Sequence, residues 1–441
     1  MSSSGSYPIV TLGAGPAGLS FSSHFNHNTD IYEKGTSWGG RCRSHLIDGF
    51  IFDEGPHSSF TKDAYIQKLF AGSIEGRFNE IFPRILNRYG SNWIRHPVQT
   101  NLKGLPVDLV VDCIMDFVKA EQDGSGSADN YGRWLIDGFG EKFARTFPYV
   151  YTRKYWTVEP EQMTTEWIEQ RIYRPDLAEV LRGALSDEFY NIHYISSVRY
   201  PETGGFQSFL KGLQKGAKVH YGFEMAEIDV KKKKIIFKNG FERYYEVLVS
   251  SVPLPTLVQC IRDCPAEMRE AANRLACTSI VLVNLGVKRN NLANSHWFYI
   301  YNEEILPCRV HFPSEYSANN SPPGTGSIQA EVYYSRHKPL GMSLESVLEK
   351  TIQNMITIGV IDKDDKITLA VCQDIKHAQV LYHKQHNESR RAVLDYLEKN
   401  NIYCIGRYGE WAYLWSDQAI LSGKRLAERL VNSGYSICHF L

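Results

Sequence analysis

Gly13, Gly15 and Gly18 follow the apolar run Ile9-Val10-Thr11-Leu12 in the pattern Gly-x-Gly-x-x-Gly, a spacing suited to holding a pyrophosphate. Gly13 permits a tight turn, Gly15 lets backbone N–H groups approach the anion, and Gly18 lets the next helix pack closely on the strand. Pro16 and Ala17 fall in the first turn of that helix, where the positive end of the helix dipole lies. Glu33 ends a second short run, Asp30-Ile31-Tyr32-Glu33, with Lys34 beside it. It stands eighteen residues past Gly15, where a carboxylate can accept hydrogen bonds from ribose hydroxyls. Strand, glycine turn, helix and acid together predict a bound dinucleotide.

Three later segments extend this pattern. Trp38-Gly39-Gly40-Arg41 offers close backbone approach and a guanidinium fork for an anion. Phe52-Asp53-Glu54-Gly55-Pro56-His57 places an imidazole just after a glycine turn, and Gly406-Arg407-Tyr408-Gly409-Glu410-Trp411-Ala412-Tyr413 precedes a helix near Asp417-Gln418. This array resembles the FAD-binding flavoproteins that include amine oxidases, protoporphyrinogen oxidases and UDP-galactopyranose mutases. The resemblance implies FAD, with Gly40 and Arg41 at its phosphates and Gly55, Pro56 and His57 beneath the isoalloxazine. Gly406, Arg407, Asp417 and Gln418 would close over the ring. Pro56 stands where the mutase loop has its second glycine, which stiffens the turn.

Further blocks are similar to the eukaryotic-type UDP-galactopyranose mutases: His96-Pro97-Val98-Gln99-Thr100-Asn101, Lys154-Tyr155-Trp156, Trp167 with Arg171, Gly204-Gly205-Phe206, and Val249-Ser250-Ser251-Val252-Pro253. Tyr299 lies ten residues before Arg309 and Tyr316 seven after it, as around the second substrate arginine of those enzymes. The resemblance implies that Arg171 and Arg309 clamp a diphosphate, aided by Tyr299, Tyr316, Tyr382 and Tyr413. It also places Gln99 and Asn101 at the nucleotide, and Thr152 and Trp156 near the sugar. Three departures bear on the substrate: Thr152 falls where the mutases have asparagine, His96 replaces an aromatic, and Tyr382 lacks the proline that follows the corresponding tyrosine.

The implied reaction exchanges pyranose and furanose forms of a nucleoside-diphosphate sugar, UDP-linked, without net redox change and with reduced flavin as nucleophile. NAD(P)H is the candidate reductant, polysaccharide biosynthesis the implied context, and no metal site is expected. His57 would position the flavin while Arg171 and Arg309 retain the departing diphosphate. Two other readings stay open: an oxidoreductase of the amine oxidase or protoporphyrinogen oxidase type, and a non-catalytic flavin-binding protein in which 26 tyrosines and eight tryptophans are core filling.

The 441 residues carry 49 basic and 49 acidic side chains, which gives no reason to expect nucleic acid or an anionic membrane as partner. Nine cysteines lack CxxC or His-rich spacing, so neither a disulfide framework nor zinc is expected, and a cytoplasmic location fits. No window reaches eighteen apolar residues. The last four residues, Cys438-His439-Phe440-Leu441, spell a prenylation box in which His439 fits poorly. Oligomeric state is left open.

The predicted architecture is α/β. A discontinuous Rossmann-type FAD-binding domain comprises 1–70, 204–256 and 395–441, interrupted by a helical insertion at 71–203 and a mixed-sheet substrate domain at 257–394. Expected strands include Lys218 to Val230, Lys232 to Lys238, Glu246 to Ser251, Ser279 to Val287, Ser327 to Tyr334 and Ile402 to Arg407. Expected helices include 108–120, 207–215 and Asp417 to Val431.

Overall fold

The computed structural model describes residues 9–26, 29–124, 128–168, 171–186 and 196–434. Its first layer is a five-stranded parallel sheet in the order Ile402–Cys404, Val247–Ser250, Ile9–Leu12, Asp30–Glu33, Lys218–Tyr221. Ile9–Leu12 and Val247–Ser250 are buried at every position, because helices and loops cover both faces of a parallel sheet. Helices Pro16–His24 and Ser416–Asn432 lie together on one side, where a Cβ on Gly423 would stand 2.2 Å from the Ala17 carbonyl oxygen. The sheet is thus assembled from chain segments some 390 residues apart in sequence.

A seven-stranded mixed sheet forms the second layer: Ile367–Ile375, Ser279–Val287, Gly326–Tyr334, Arg309–His311, Trp297–Ile300, Ile85–Tyr89, Asn92–Arg95. The last two strands form a hairpin within the segment expected to be helical. Ile85–Tyr89 runs parallel to Trp297–Ile300, so the insertion is tied to the sheet by backbone hydrogen bonds.

The rest of the insertion is helical and aromatic. Val107–Asp123 buries Leu109, Cys113 and Phe117 at helical spacing. Asn130 Oδ1 accepts the Arg133 N–H (2.9 Å) at the start of Tyr131–Phe139, and Asp176 caps Leu177–Leu185 in a reciprocal box with Glu179. Lys154 is buried at the end of Pro148–Tyr155 and donates to the carbonyls of Asn302 and Ile305 (both 2.8 Å) and Ile300 (3.3 Å). This tie locks Tyr155 and Trp156 against the sheet.

Other boundaries move for local reasons. The run from Lys218 to Val230 breaks at Gly222 (φ +76°), leaving Met225–Asp229 to a separate antiparallel sheet with Lys234–Phe237 and Glu242–Tyr244. The last strand ends at Cys404 because Gly406 (φ +73°) opens a helical turn, Gly406–Gly409. The expected helix at 207–215 is a 3-10 turn, Phe206–Leu210, followed by the short helix Lys211–Gln214. The eight described cysteines are all free thiols, and no helix among the described residues is long and apolar enough to cross a membrane. Cys438 to Leu441 lie outside the described residues.

Candidate functional site

The amino-terminal loop is built for close approach. Gly13 (φ +93°) donates its N–H to the Tyr32 carbonyl (2.9 Å), and a Cβ on Gly18 would sit 2.1 Å from the Gly13 carbonyl oxygen. Gly15 precedes the helix without any side-chain cap, leaving the first-turn N–H groups for an external acceptor. The Gly39-Gly40 turn lies against it: Gly39 N–H bonds the Ala14 carbonyl (2.8 Å), and a Cβ on Gly40 would stand 2.9 Å from Gly15 Cα. Glu33 accepts the N–H groups of Ala14 (2.9 Å) and Gly35 (2.7 Å), which orients its carboxylate at the end of the parallel strand, with Lys34 exposed beside it. An uncapped helix terminus, a double-glycine cradle and an oriented acid fit the pyrophosphate and ribose of FAD.

Arg41 donates to Glu54 (2.8 Å), as does Arg43 (2.7 Å), and His45 lies 3.0 Å from the same carboxylate. Burial alone would raise the Glu54 carboxyl, yet His45, Arg41 and Arg43 together hold it down at about 2. Arg41, one residue past the Gly40 that touches Gly15, is therefore anchored by an acid, with a third of its side chain exposed. Beyond Glu54, Gly55 (φ +103°) has open space where a Cβ would be. His57 Nδ1 bonds the Gly55 carbonyl (2.9 Å) and its ring packs on Phe206. Burial pushes His57 below its usual value against the pull of Asp53. Asp53 itself is raised by burial although it accepts from Ser44 (2.5 Å), Tyr200 (2.8 Å) and the Phe206 N–H (3.1 Å). It binds the His57 loop to the Gly204-Gly205-Phe206 turn, a role not evident from the sequence.

The carboxy-terminal segment converges on the same place. A Cβ on Gly406 would lie 2.6 Å from Ala17 Cβ. Asp417 Oδ1 accepts the Gln418 N–H (2.8 Å), and Gln418 Oε1 accepts the Trp415 N–H (2.9 Å), so both side chains shape the helix start. Arg407 turns inward to the Leu414 carbonyl (2.9 Å) and Gln379, and thereby holds the 408–414 loop.

The two expected arginines are linked by a chain of aromatic rings. Arg171 donates to the carbonyls of Trp167 and Tyr413 (both 2.9 Å) and lies over the rings of Tyr413 (4.7 Å) and Trp415 (4.8 Å). Tyr413 packs on Trp156 (5.5 Å), Trp156 on Tyr155 (5.1 Å), and Arg309 stands 5.9 Å from the Tyr155 ring. Arg309 is held by Glu331 through two bonds, 2.7 and 2.9 Å, and Tyr333 donates to the same carboxylate (2.8 Å). Tyr299 hydrogen-bonds Arg309 and packs on His96 and Tyr151. Burial holds Tyr151, Tyr155 and Tyr333 well above the usual phenol range, so they remain neutral hydrogen-bond donors.

The remaining expected residues have more structural surroundings. Tyr382 is near these rings, but its hydroxyl accepts the Tyr413 N–H (2.9 Å). Tyr316 is buried among Tyr200, His296 and His311. Thr152 is buried in the helical core, where its hydroxyl is already bonded to Tyr131. Gln99 donates to the Tyr173 carbonyl (3.1 Å), tying its loop to a distant segment, and Asn101 donates to that of Pro97 (2.9 Å), bracing its own loop. Glu331, His311, Gln329 and Trp415 escaped the sequence reading, because only strand register and loop packing bring them to the site.

Residues 11–72 match the NAD(P)-binding Rossmann-like domain, and residues 136–431 match the flavin containing amine oxidoreductase family. Among solved structures, reduced UDP-galactopyranose mutase is 24% identical and superposes over 99% of this chain and 96% of its own, with a TM-score of 0.92. A protein provisionally assigned as a protoporphyrinogen oxidase, from Exiguobacterium sp. 255-15, is 15% identical over 98% of this chain and 100% of its own, with a TM-score of 0.74. Putrescine oxidase bound to putrescine is 13% identical over 97% and 99%, with a TM-score of 0.67. These likenesses establish a shared fold.

Proposed function

The chain belongs to the flavin-containing amine oxidoreductase family, and on that premise we propose that it is a flavin-dependent sugar-nucleotide mutase acting on a UDP-linked sugar. The observation that carries this reading is the aromatic chain Tyr413, Trp156 and Tyr155, which has Arg171 at one end and Arg309 at the other. Two guanidinium groups with phenol hydroxyls along that chain supply the several donors that a diphosphate needs. The fold shared with reduced UDP-galactopyranose mutase over nearly the whole of both chains adds support.

FAD, when bound and reduced, supplies the nucleophile for the anomeric carbon of the sugar. Arg171 and Arg309 bind the diphosphate, stabilise it as it departs and keep it in place for its return. Tyr299 and Tyr413 orient it. His57, fixed by the Gly55 carbonyl, supports the ring system from the opposite loop. Trp156 and Trp415 exclude water, which would otherwise hydrolyse the sugar bond.

A second reading, an oxidoreductase, is favoured by the Glu331 carboxylate, which neutralises Arg309 and makes that region an aromatic cage rather than an anion clamp. UDP titration of the flavin-loaded protein separates the two. The mutase reading expects UDP binding that Arg171→Ala and Arg309→Lys weaken at unchanged flavin content. The oxidoreductase reading expects no dependence of UDP affinity on either arginine.

A further inference from the structure

Two polar rows cross one face of the seven-stranded sheet. Antiparallel pairing sets Tyr299, Arg309 and Glu331 in one row and Trp297, His311 and Gln329 in the next. Directly opposed residues in such a ladder share a face and stand close together. The first row is closed by the Arg309–Glu331 ion pair. In the second, His311 Nδ1 and Gln329 Oε1 are both buried without a hydrogen-bond partner.

The Gln329 amide cannot turn to relieve this. Its Nε2 donates to the Asp53 carbonyl (2.9 Å) and to Asn284 Oδ1 (2.8 Å), while Asn284 Nδ2 donates to Gln373 Oε1 (3.0 Å). The bonds fix both amide orientations and leave Gln329 Oε1 as an acceptor without a donor. Burial, aided by the charge of Arg309, keeps the His311 imidazole neutral. His311 is 4% exposed. Buried polar atoms in folded proteins are nearly always paired, so two unpartnered neighbours mark a place for a group from outside the chain. With His311 in its Nδ1–H tautomer a hydroxyl fits, because it can donate to Gln329 Oε1 and accept from Nδ1–H at once.

We propose that His311 and Gln329 form a hydroxyl-reading subsite beside Arg309, which takes a ring hydroxyl of the sugar and sets which sugar the site accepts. The subsite rests on the mutase reading, since it needs a sugar whose diphosphate lies at the arginines. It is a binding and specificity device: no bond is made or broken there.

The test uses the flavin-loaded protein, reduced anaerobically, with UDP and UDP-galactose as separate probes. His311→Phe keeps a planar ring without nitrogen, and His311→Asn restores a polar atom near the Nδ1 position. We expect His311→Phe to lose roughly tenfold in UDP-galactose affinity, with UDP affinity and flavin content unchanged, and His311→Asn to retain most of it. His311→Leu replaces the phenylalanine variant if that one fails to load flavin. Equal UDP-galactose affinity in wild type and the apolar variant overturns the subsite, as does a parallel loss for both probes. A changed flavin spectrum at constant ligand affinity also overturns it, because the row then serves the cofactor. Wild-type protein that binds neither probe removes the proposed function together with the subsite, whereas binding of both without a variant effect removes the subsite alone.

Discussion

Arg309 and Glu331 face each other on adjacent antiparallel strands through two N–H···O bonds, and the Glu331 side chain is fully buried. The carboxylate depends on the guanidinium for its charge balance. Arg309→Ala is therefore expected to cost about 3–5 kcal/mol by leaving that charge unpaired, measured by urea unfolding. The double variant Arg309→Ala, Glu331→Gln should recover most of the stability without recovering UDP affinity. If it regains both, Arg309 serves the fold alone.

Arg171 holds two carbonyls and two aromatic faces with one planar group, a task a lysine ammonium cannot reproduce. Arg171→Lys is expected to weaken UDP binding by about tenfold, the equivalent of one charge-assisted hydrogen bond, while flavin content stays constant. Calorimetric titration with UDP checks this, and wild-type affinity in the variant would count against Arg171 as an anion ligand.

The glycine loops, the Glu33 strand end and the closing helix were legible in the sequence because each depends on local backbone chemistry within a few residues. Gly13, Gly18 and Gly40 announce close contacts by having no side chain. The partners of Arg309 were not legible. Glu331 and His311 acquire their neighbours from strand register, and a one-residue shift would turn either away from the site. The surroundings of Thr152 were hidden for the complementary reason: its place in the motif says nothing of the helix Pro148–Tyr155, which presents it to Tyr131 in the core. Likewise, the hairpin Ile85–Arg95 gains its partner Trp297–Ile300 only in three dimensions.

Glu54 makes stability pH-dependent. Its carboxyl lies at about 2 in the folded protein against an ordinary 4.5, so the folded state favours the ionised form. That contribution is complete above pH 4.5 and is lost as pH falls through about 2, with a size on the order of 3 kcal/mol. Glu54→Gln should flatten the thermal stability profile over this window, and an unchanged acid slope in the variant would contradict the assignment.

Gly423 lets two helices touch. A Cβ there would meet the Ala17 carbonyl oxygen at 2.2 Å and the Phe21 nitrogen at 2.8 Å, both backbone atoms that cannot move aside cheaply. Gly423→Ala is expected to destabilise the protein by about 1–3 kcal/mol and to lower flavin content by displacing the helix that begins at Pro16. Absorbance of the purified variant, compared with wild type at equal protein concentration, reads the second effect directly.

The central claim, that the two arginines serve a flavin working without net redox change, is tested most directly by anaerobic turnover. Flavin-loaded protein is reduced once with dithionite, freed of excess reductant and incubated with UDP-galactopyranose. The account predicts many turnovers to the furanose isomer per reduced flavin, with no reductant consumed. Absence of any ring isomer, together with stoichiometric oxidation of an amine or carbon substrate by the oxidised protein, would contradict it.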